Sequence, residues 1–254
     1  MKEELEIARK KVAIYHIKAQ NLTLKADDVG LQNAGAPIVF YNAFANEADE
    51  IARVLSELGS VNLTLAAVGG LEWNSEMTPW PMPALFKKEP PFEGGADEYL
   101  QTLTQQIAPA VLARTGDAAW LGIAGYSLGG LFALYSLYKT PMFTRVASVS
   151  GSLWYKDFRE FALGSHLAGK PERAYLSIGD RESISKNEYL KTALDATREI
   201  AARFDRLGVG SKFELNPGNH YADEIGRTVK ALTWLLATKF NSKYAAKSPS
   251  NLKI

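Results

Sequence analysis

The chain has 254 residues, 46% of them hydrophobic and 22% charged, an ordinary globular composition in a length that can bury one large core. A formal net charge of +1 with scattered basic residues leaves no stripe for nucleic acid or an anionic membrane to engage. The absence of cysteine excludes disulfides, thiolate metal sites and a cysteine nucleophile. Residues 1–19 carry charges throughout, without an apolar leader and cleavage site, and no run approaches the ~20 apolar residues of a membrane span. The expectation is a cytoplasmic protein with no nucleic-acid or membrane partner; a homo-oligomer is left open.

In chain order, residues 12–19 read as an antiparallel edge strand. Residues 37–41 are a buried strand, and 47–58 a helix stopped by Gly59. Residues 61–68 form the next strand. Residues 97–113 are helical, with Leu100, Leu103, Ile107 and Val111 on one face and Gly116 beyond the end. A strand at 120–124 runs into a helix at 127–138, which Pro141 keeps from continuing. Strands at 146–149 and 174–178 precede a long helix at 187–207, and a strand at 212–215 and a helix at 223–236 follow. Alternation of this kind implies an α/β fold with a mostly parallel central sheet and helices on both faces. Nothing rich enough in Gly, Ser or Pro divides it, so 1–240 reads as one domain, with 241–254 a polar tail.

Residues 69–95 break the rhythm with four prolines from Pro79 to Pro90, then Pro91, among Trp73, Trp80 and Phe86. A loop this long inside a domain is usually functional or disordered, and its aromatics argue against disorder. It either covers the sheet as a satellite cluster or also walls a substrate pocket.

Gly125-Tyr126-Ser127-Leu128-Gly129 matches G-x-S-x-G, the strand–turn–helix elbow that lifts a serine hydroxyl above the edge of a sheet. The strand entering it and the helix leaving it supply that context; the bland alternative is a Gly-rich junction with a serine cap. The Leu128 N–H, at a helix N-terminus, would face a developing oxyanion. A serine needs a base, and there are three histidines. His16 falls in an alternating strand and His166 in a loop. His220 follows the last strand, where the order Ser, acid, His requires the base. Two carboxylates end the strand before the long helix. Glu182, three residues after Gly179, has the usual spacing for the orienting acid, and Asp180 is the alternative. A second oxyanion donor is expected after the strand at 37–41, at the Phe44 N–H.

With these residues in place, the GYSLGGLFALYSLY run and Ser150 to Tyr155 (SGSLWY) resemble the esterase-D-like, siderophore-esterase-like branch of the α/β-hydrolase superfamily. Its members include siderophore trilactone esterases, S-formylglutathione hydrolases and mycolyltransferases, and the closer likeness is to its bacterial group of predicted hydrolases, whose motifs the LEWN and TPWP segments, GGADEY and NPGNH resemble. It spans roughly residues 36 to 238. The resemblance implies an α/β-hydrolase fold with Ser127 as nucleophile, His220 as base and Glu182 as acid, although some siderophore esterases look like Ser–His dyads. It also puts Trp154 near the pocket, against the alternative of packing under the sheet edge. Trp73, Trp80 and Tyr126 complete the expected pocket.

The function expected is hydrolysis of a small-molecule carboxylic ester, thioester or lactone through an acyl-enzyme on Ser127. Metal pairs such as H-E-x-x-H and a P-loop are missing, so no cofactor and no metal are called for. An acyltransferase of the same fold and a catalytically silent binding module are the alternatives.

Overall fold

The computed structural model describes residues 2–20 and 35–237; the expected tail at 241–254 lies outside them. Ten strands are β1 (Lys2–Ile7), β2 (Lys10–Ile17), β3 (Ile38–Asn42), β4 (Leu63–Gly69), β5 (Pro81–Met82), β6 (Phe92–Glu93), β7 (Leu121–Tyr126), β8 (Arg145–Val149), β9 (Arg173–Gly179) and β10 (Gly210–Asn216). Eight of them form one sheet in the order β1-β2-β4-β3-β7-β8-β9-β10. From β4 to β10 every neighbour is parallel, and β1 and β2 add an antiparallel margin. The parallel strands are covered on both faces, and β3 and β9 are buried at every position, as continuous apolar runs in such sheets require.

One face carries α1 (Glu47–Glu57) and, at the end of the chain, α8 (Glu224–Leu236), packed on the Val39, Leu65, Ala124 and Tyr175 side of the sheet. The other carries α3 (Ala96–Thr102), α4 (Ala108–Thr115), α5 (Leu128–Ser136), α6 (Phe158–Gly164) and α7 (Ala193–Arg206). Helix α5 is buried at all nine positions, which is what an all-round apolar helix needs. It packs beneath β7 and β8.

Three departures from the sequence reading have physical causes. The segment at 12–19 is antiparallel as expected but is not the edge; β1 is. The β1–β2 hairpin turns through Ala8 and Arg9, both at positive φ, without the Asn-Gly signal that marks such turns. The helix expected at 97–113 contains a π-helical turn at Leu103–Ile107, because Pro109 has no N–H to continue an α-helical ladder. The helix expected from 187 begins at Ala193 after a 3₁₀ turn at Leu190–Thr192, with the Asn187 side chain accepting from the Tyr189 and Leu190 N–H groups. Helix α6 was not anticipated.

The Trp/Pro segment is built rather than loose. It holds the short helix α2 (Trp73–Glu76) and the β5–β6 ladder. Met77, Met82 and Phe92 are buried in the main core, and Lys10 on β2 bonds Glu76 at 2.7 Å.

Backbone meets backbone at close range where α5 leaves the sheet. A Cβ at Gly125 would stand 2.3 Å from the Gly129 carbonyl carbon. Gly125→Ala should therefore lower the unfolding free energy by about 2–3 kcal/mol or more. Gly164→Ala, where a Cβ meets nothing within 4 Å, should be near neutral. Urea denaturation of the two variants against wild type checks the contrast.

Candidate active site

Ser127 sits between β7 and α5 at φ 57 and ψ −123, a conformation that costs a non-glycine residue roughly 1–3 kcal/mol. It is held there from both sides. Its N–H donates to Val149 O at 3.1 Å, and its carbonyl accepts from Ser152 N at 3.0 Å. The turn leaves the hydroxyl at the C-terminal edge of the parallel sheet, where open α/β sheets place ligands.

Three side chains from three connections meet at that edge. His220, between β10 and α8, has Nε2 3.0 Å from Ser127 Oγ and Nδ1 2.7 Å from Glu182 Oε2. Glu182 follows β9, and its other oxygen accepts from Gly179 N at 2.6 Å and from Arg227 Nη1 at 3.1 Å. Asp180 points elsewhere, accepting from Gly218 N at 2.8 Å. Of the two carboxylates, Glu182 alone is bonded to the imidazole. His16 bonds Glu3 on β1, and His166 is exposed in a loop; neither reaches this edge.

Burial by itself pushes the Glu182 carboxyl up. The hydrogen bond from His220, the charge of that ring, the Gly179 N–H and the Ser150 hydroxyl outweigh it, and the carboxyl lies below its ordinary value of 4.5.

A cleft of about 630 Å³ opens over Ser127. Phe44, Trp73, Phe86, Phe92, Trp154 and Tyr221 supply its aromatic lining, and Ser127, Leu128, Ser152 and His220 its polar floor. The Trp/Pro segment covers the sheet and also walls this cleft. Phe44 and Trp73 meet edge to face at 5.2 Å, Phe92 and Trp154 at 6.2 Å.

Three expectations are corrected. Trp80 does not line the cleft; its ring packs among Tyr135, Tyr155, Phe158 and Phe161, and its Nε1 donates to Lys156 O at 2.9 Å. Tyr126 is not a lining residue either. It is buried below the site, and its hydroxyl donates to His220 O at 2.7 Å. The Phe44 N–H is not open to a substrate oxygen, because it donates to the Glu47 carboxylate at 2.7 Å, with Ala45 N on the other oxygen. The Phe44 side chain, 71% exposed, stands at the cleft instead. Leu128 opens α5, so its N–H has no partner within the helix.

Besides the lining residues Phe92 and Tyr221, two residues beside Ser127 and Glu182 are not named by the sequence reading. Ser152 is buried, with its Oγ 3.4 Å from Ser127 Oγ; nothing in SGSLWY distinguishes it from its neighbours. Arg227, on α8, is 1% exposed. Its Nη1 is shared by Glu182, Ser150 Oγ at 3.0 Å and Tyr126 Oη at 3.2 Å, while Nη2 donates to Pro217 O at 2.7 Å. Nε has no partner among the described residues. A signal existed: Arg227 occupies the stripe of Ala231 and Leu235 at helical spacing, a charge where the pattern calls for an apolar residue.

A parallel sheet with helices on both faces and a serine, histidine and glutamate joined at its carboxyl edge define the α/β-hydrolase class. Residues 48–224 match the model of the family described as "Putative esterase". The chain belongs to that family and is an esterase-type hydrolase of carboxylic esters. It is 26% identical over 216 residues to protein YbbA of Bacillus subtilis (strain 168), a match covering 80% of this chain and 86% of that one. The fold is that of an IroE-like serine hydrolase from Shewanella oneidensis, with TM-score 0.73, 17% identity and coverage of 91% of this chain and 78% of that one. It is likewise that of the siderophore hydrolase EstB from Aspergillus nidulans, with TM-score 0.60, 18% identity and coverage of 92% and 94%. Among the described residues no helix is long and apolar enough to cross a membrane.

A carboxyl held below its ordinary value in the folded state stabilises the fold fully above that value and loses the contribution as pH falls through the lowered one. Glu182→Gln should therefore make the unfolding free energy less sensitive to pH below about 4.5. Urea titrations of both proteins at neutral and acid pH measure the difference in slope.

Proposed function

We propose that the chain is a serine esterase that works through an acyl-enzyme on Ser127. The observation that carries this reading is the unbroken hydrogen-bonded chain from Ser127 Oγ through both nitrogens of His220 to Glu182, at 3.0 and 2.7 Å. Bonds of that length lie within the range for proton transfer between a nucleophile and its base.

Ser127 Oγ attacks the ester carbonyl carbon and passes its proton to His220 Nε2. Glu182 accepts from Nδ1–H, which fixes the tautomer and stabilises the imidazolium. The carbonyl oxygen, now negative, takes the Leu128 N–H at the positive end of α5. His220 returns the proton to the departing alcohol, and a water, deprotonated by His220 in turn, releases the acid. No step calls for a metal or an organic cofactor.

The aromatic lining of the cleft favours an ester whose acyl or alcohol part is apolar or aromatic. Because EstB is named as a siderophore hydrolase, siderophore-type esters belong in the first substrate panel beside simple aryl esters, thioesters and lactones. Competition between water and added alcohols for the acyl group separates hydrolase from acyltransferase.

Labelling with a fluorophosphonate probe tests the reading. Wild type should react and Ser127→Ala should not, with its melting temperature close to wild type; equal labelling of the two would sink the mechanism. Glu182→Gln should cut kcat/KM for a nitrophenyl ester by about a hundredfold or more. Asp180→Asn should cost far less, and the opposite ranking would move the acid to Asp180.

A further inference from the structure

We infer that Arg227 is a positioning residue for the reaction: from inside α8 its guanidinium aims Glu182 at His220 and holds their two loops together. The inference rests on the Ser127–His220–Glu182 reading and adds to it a residue that touches neither substrate nor the reacting atoms.

Both charged groups are buried. The Glu182 side chain is 7% exposed and that of Arg227 1%. Either charge alone at such a place would be costly, and together they are tolerable only with good geometry and further hydrogen bonds. The site supplies both. Glu182 commits Oε2 to His220 and Oε1 to Gly179 N and Arg227. Arg227 spends its fork on four groups from four strand ends: Tyr126 at the end of β7, Ser150 after β8, Glu182 after β9 and Pro217 after β10. Pro217 lies three residues before His220, and Tyr126 closes the circuit by donating to His220 O. One side chain thereby ties the acid loop, the base loop and the residue preceding the nucleophile. A lysine ammonium keeps the charge but has no planar fork to reach them all.

The titratable groups facing the Glu182 carboxylate are His220 from the β10–α8 loop, Arg227 from α8 and Tyr126 from β7, and the Ser150 hydroxyl after β8 faces it as well. On its own loop, Asp180 is turned to Gly218 N. Arg227 is therefore the permanent cation beside the Glu182–His220 pair. Without it the pair is more negative and keeps its proton to higher pH, so the acid limb of kcat/KM should rise.

The test uses the full chain, hydrolysis of nitrophenyl acetate across pH, and the variants Arg227→Gln, Arg227→Lys, Glu182→Gln and the double Glu182→Gln/Arg227→Gln. Arg227→Gln should lower kcat by about 10- to 100-fold with KM within about twofold, and move the acid limb up by about half a unit or more. Arg227→Lys should restore the limb but only part of kcat. In the Glu182→Gln background, Arg227→Gln should cost less than about threefold further, because the two act as one unit. A folded Arg227→Gln enzyme with the wild-type acid limb, or fully multiplicative losses in the double variant, overturns the inference. Should Arg227→Gln fail to fold, Arg227→Lys decides: lowered kcat at an unmoved limb supports the role, and wild-type kcat refutes it. Wild type that neither turns over nor takes the fluorophosphonate would instead remove the serine-esterase reading beneath it.

Discussion

The structure turns on how closely α5 approaches β7. The turn between β7 and α5 holds Ser127 at positive φ, which a side-chain-bearing residue does not adopt unaided. What enforces it is packing on both sides of the turn. Gly125 and Gly129 meet at a distance that leaves no room for a Cβ, and Gly130 lies against the Gly125 carbonyl and Gly151. Below them α5 is buried along its whole length. The burial of an apolar helix thus holds a strained junction, and the junction puts a hydroxyl and a free N–H at one point above the sheet. Everything at the site is measured from there.

The second organising constraint is electrostatic. Parallel strands deliver their loops to one edge, so residues far apart in the chain converge, among them Ser127, Glu182 and His220. Convergence brings charges out of water, and a buried carboxylate needs partners for both oxygens. The edge meets that need with an imidazole, a backbone N–H and the guanidinium of Arg227. The imidazole and the backbone N–H, together with the Ser150 hydroxyl, keep the carboxyl ionised against its own burial. Positioning and ionisation are here one arrangement.

The Trp/Pro segment adds the third layer. Met77, Met82 and Phe92 root it in the core, Lys10 clamps it to β2, and Trp73 and Phe92 turn their rings to the cleft. Two tryptophans seven residues apart have opposite fates. Trp73 sits on α2 facing Phe44, whereas Trp80 is drawn into an aromatic cluster with Tyr155 and Phe161. Composition argues against disorder in such a segment; only packing decides which ring faces the cleft.

Much of this was legible in the residues themselves. The alternating apolar runs and helical stripes, the elbow around Ser127 and the chain order of Ser127, Glu182 and His220 depend on local sterics and short-range periodicity, which one sequence carries in full. The edge strand β1 was not legible, because its turn lacks a glycine or asparagine and its apolar content is two residues in six. Tertiary structure alone pairs Glu182, and not Asp180, with His220: both follow the same strand, and the difference lies in where the loop from β10 presents His220 and the Gly218 N–H. It likewise decided that the Phe44 N–H is taken by Glu47 and that Arg227 stands behind Glu182. Each of these is a pairing across space, set by which loops share the sheet's carboxyl edge, and periodicity along the chain carries no record of it.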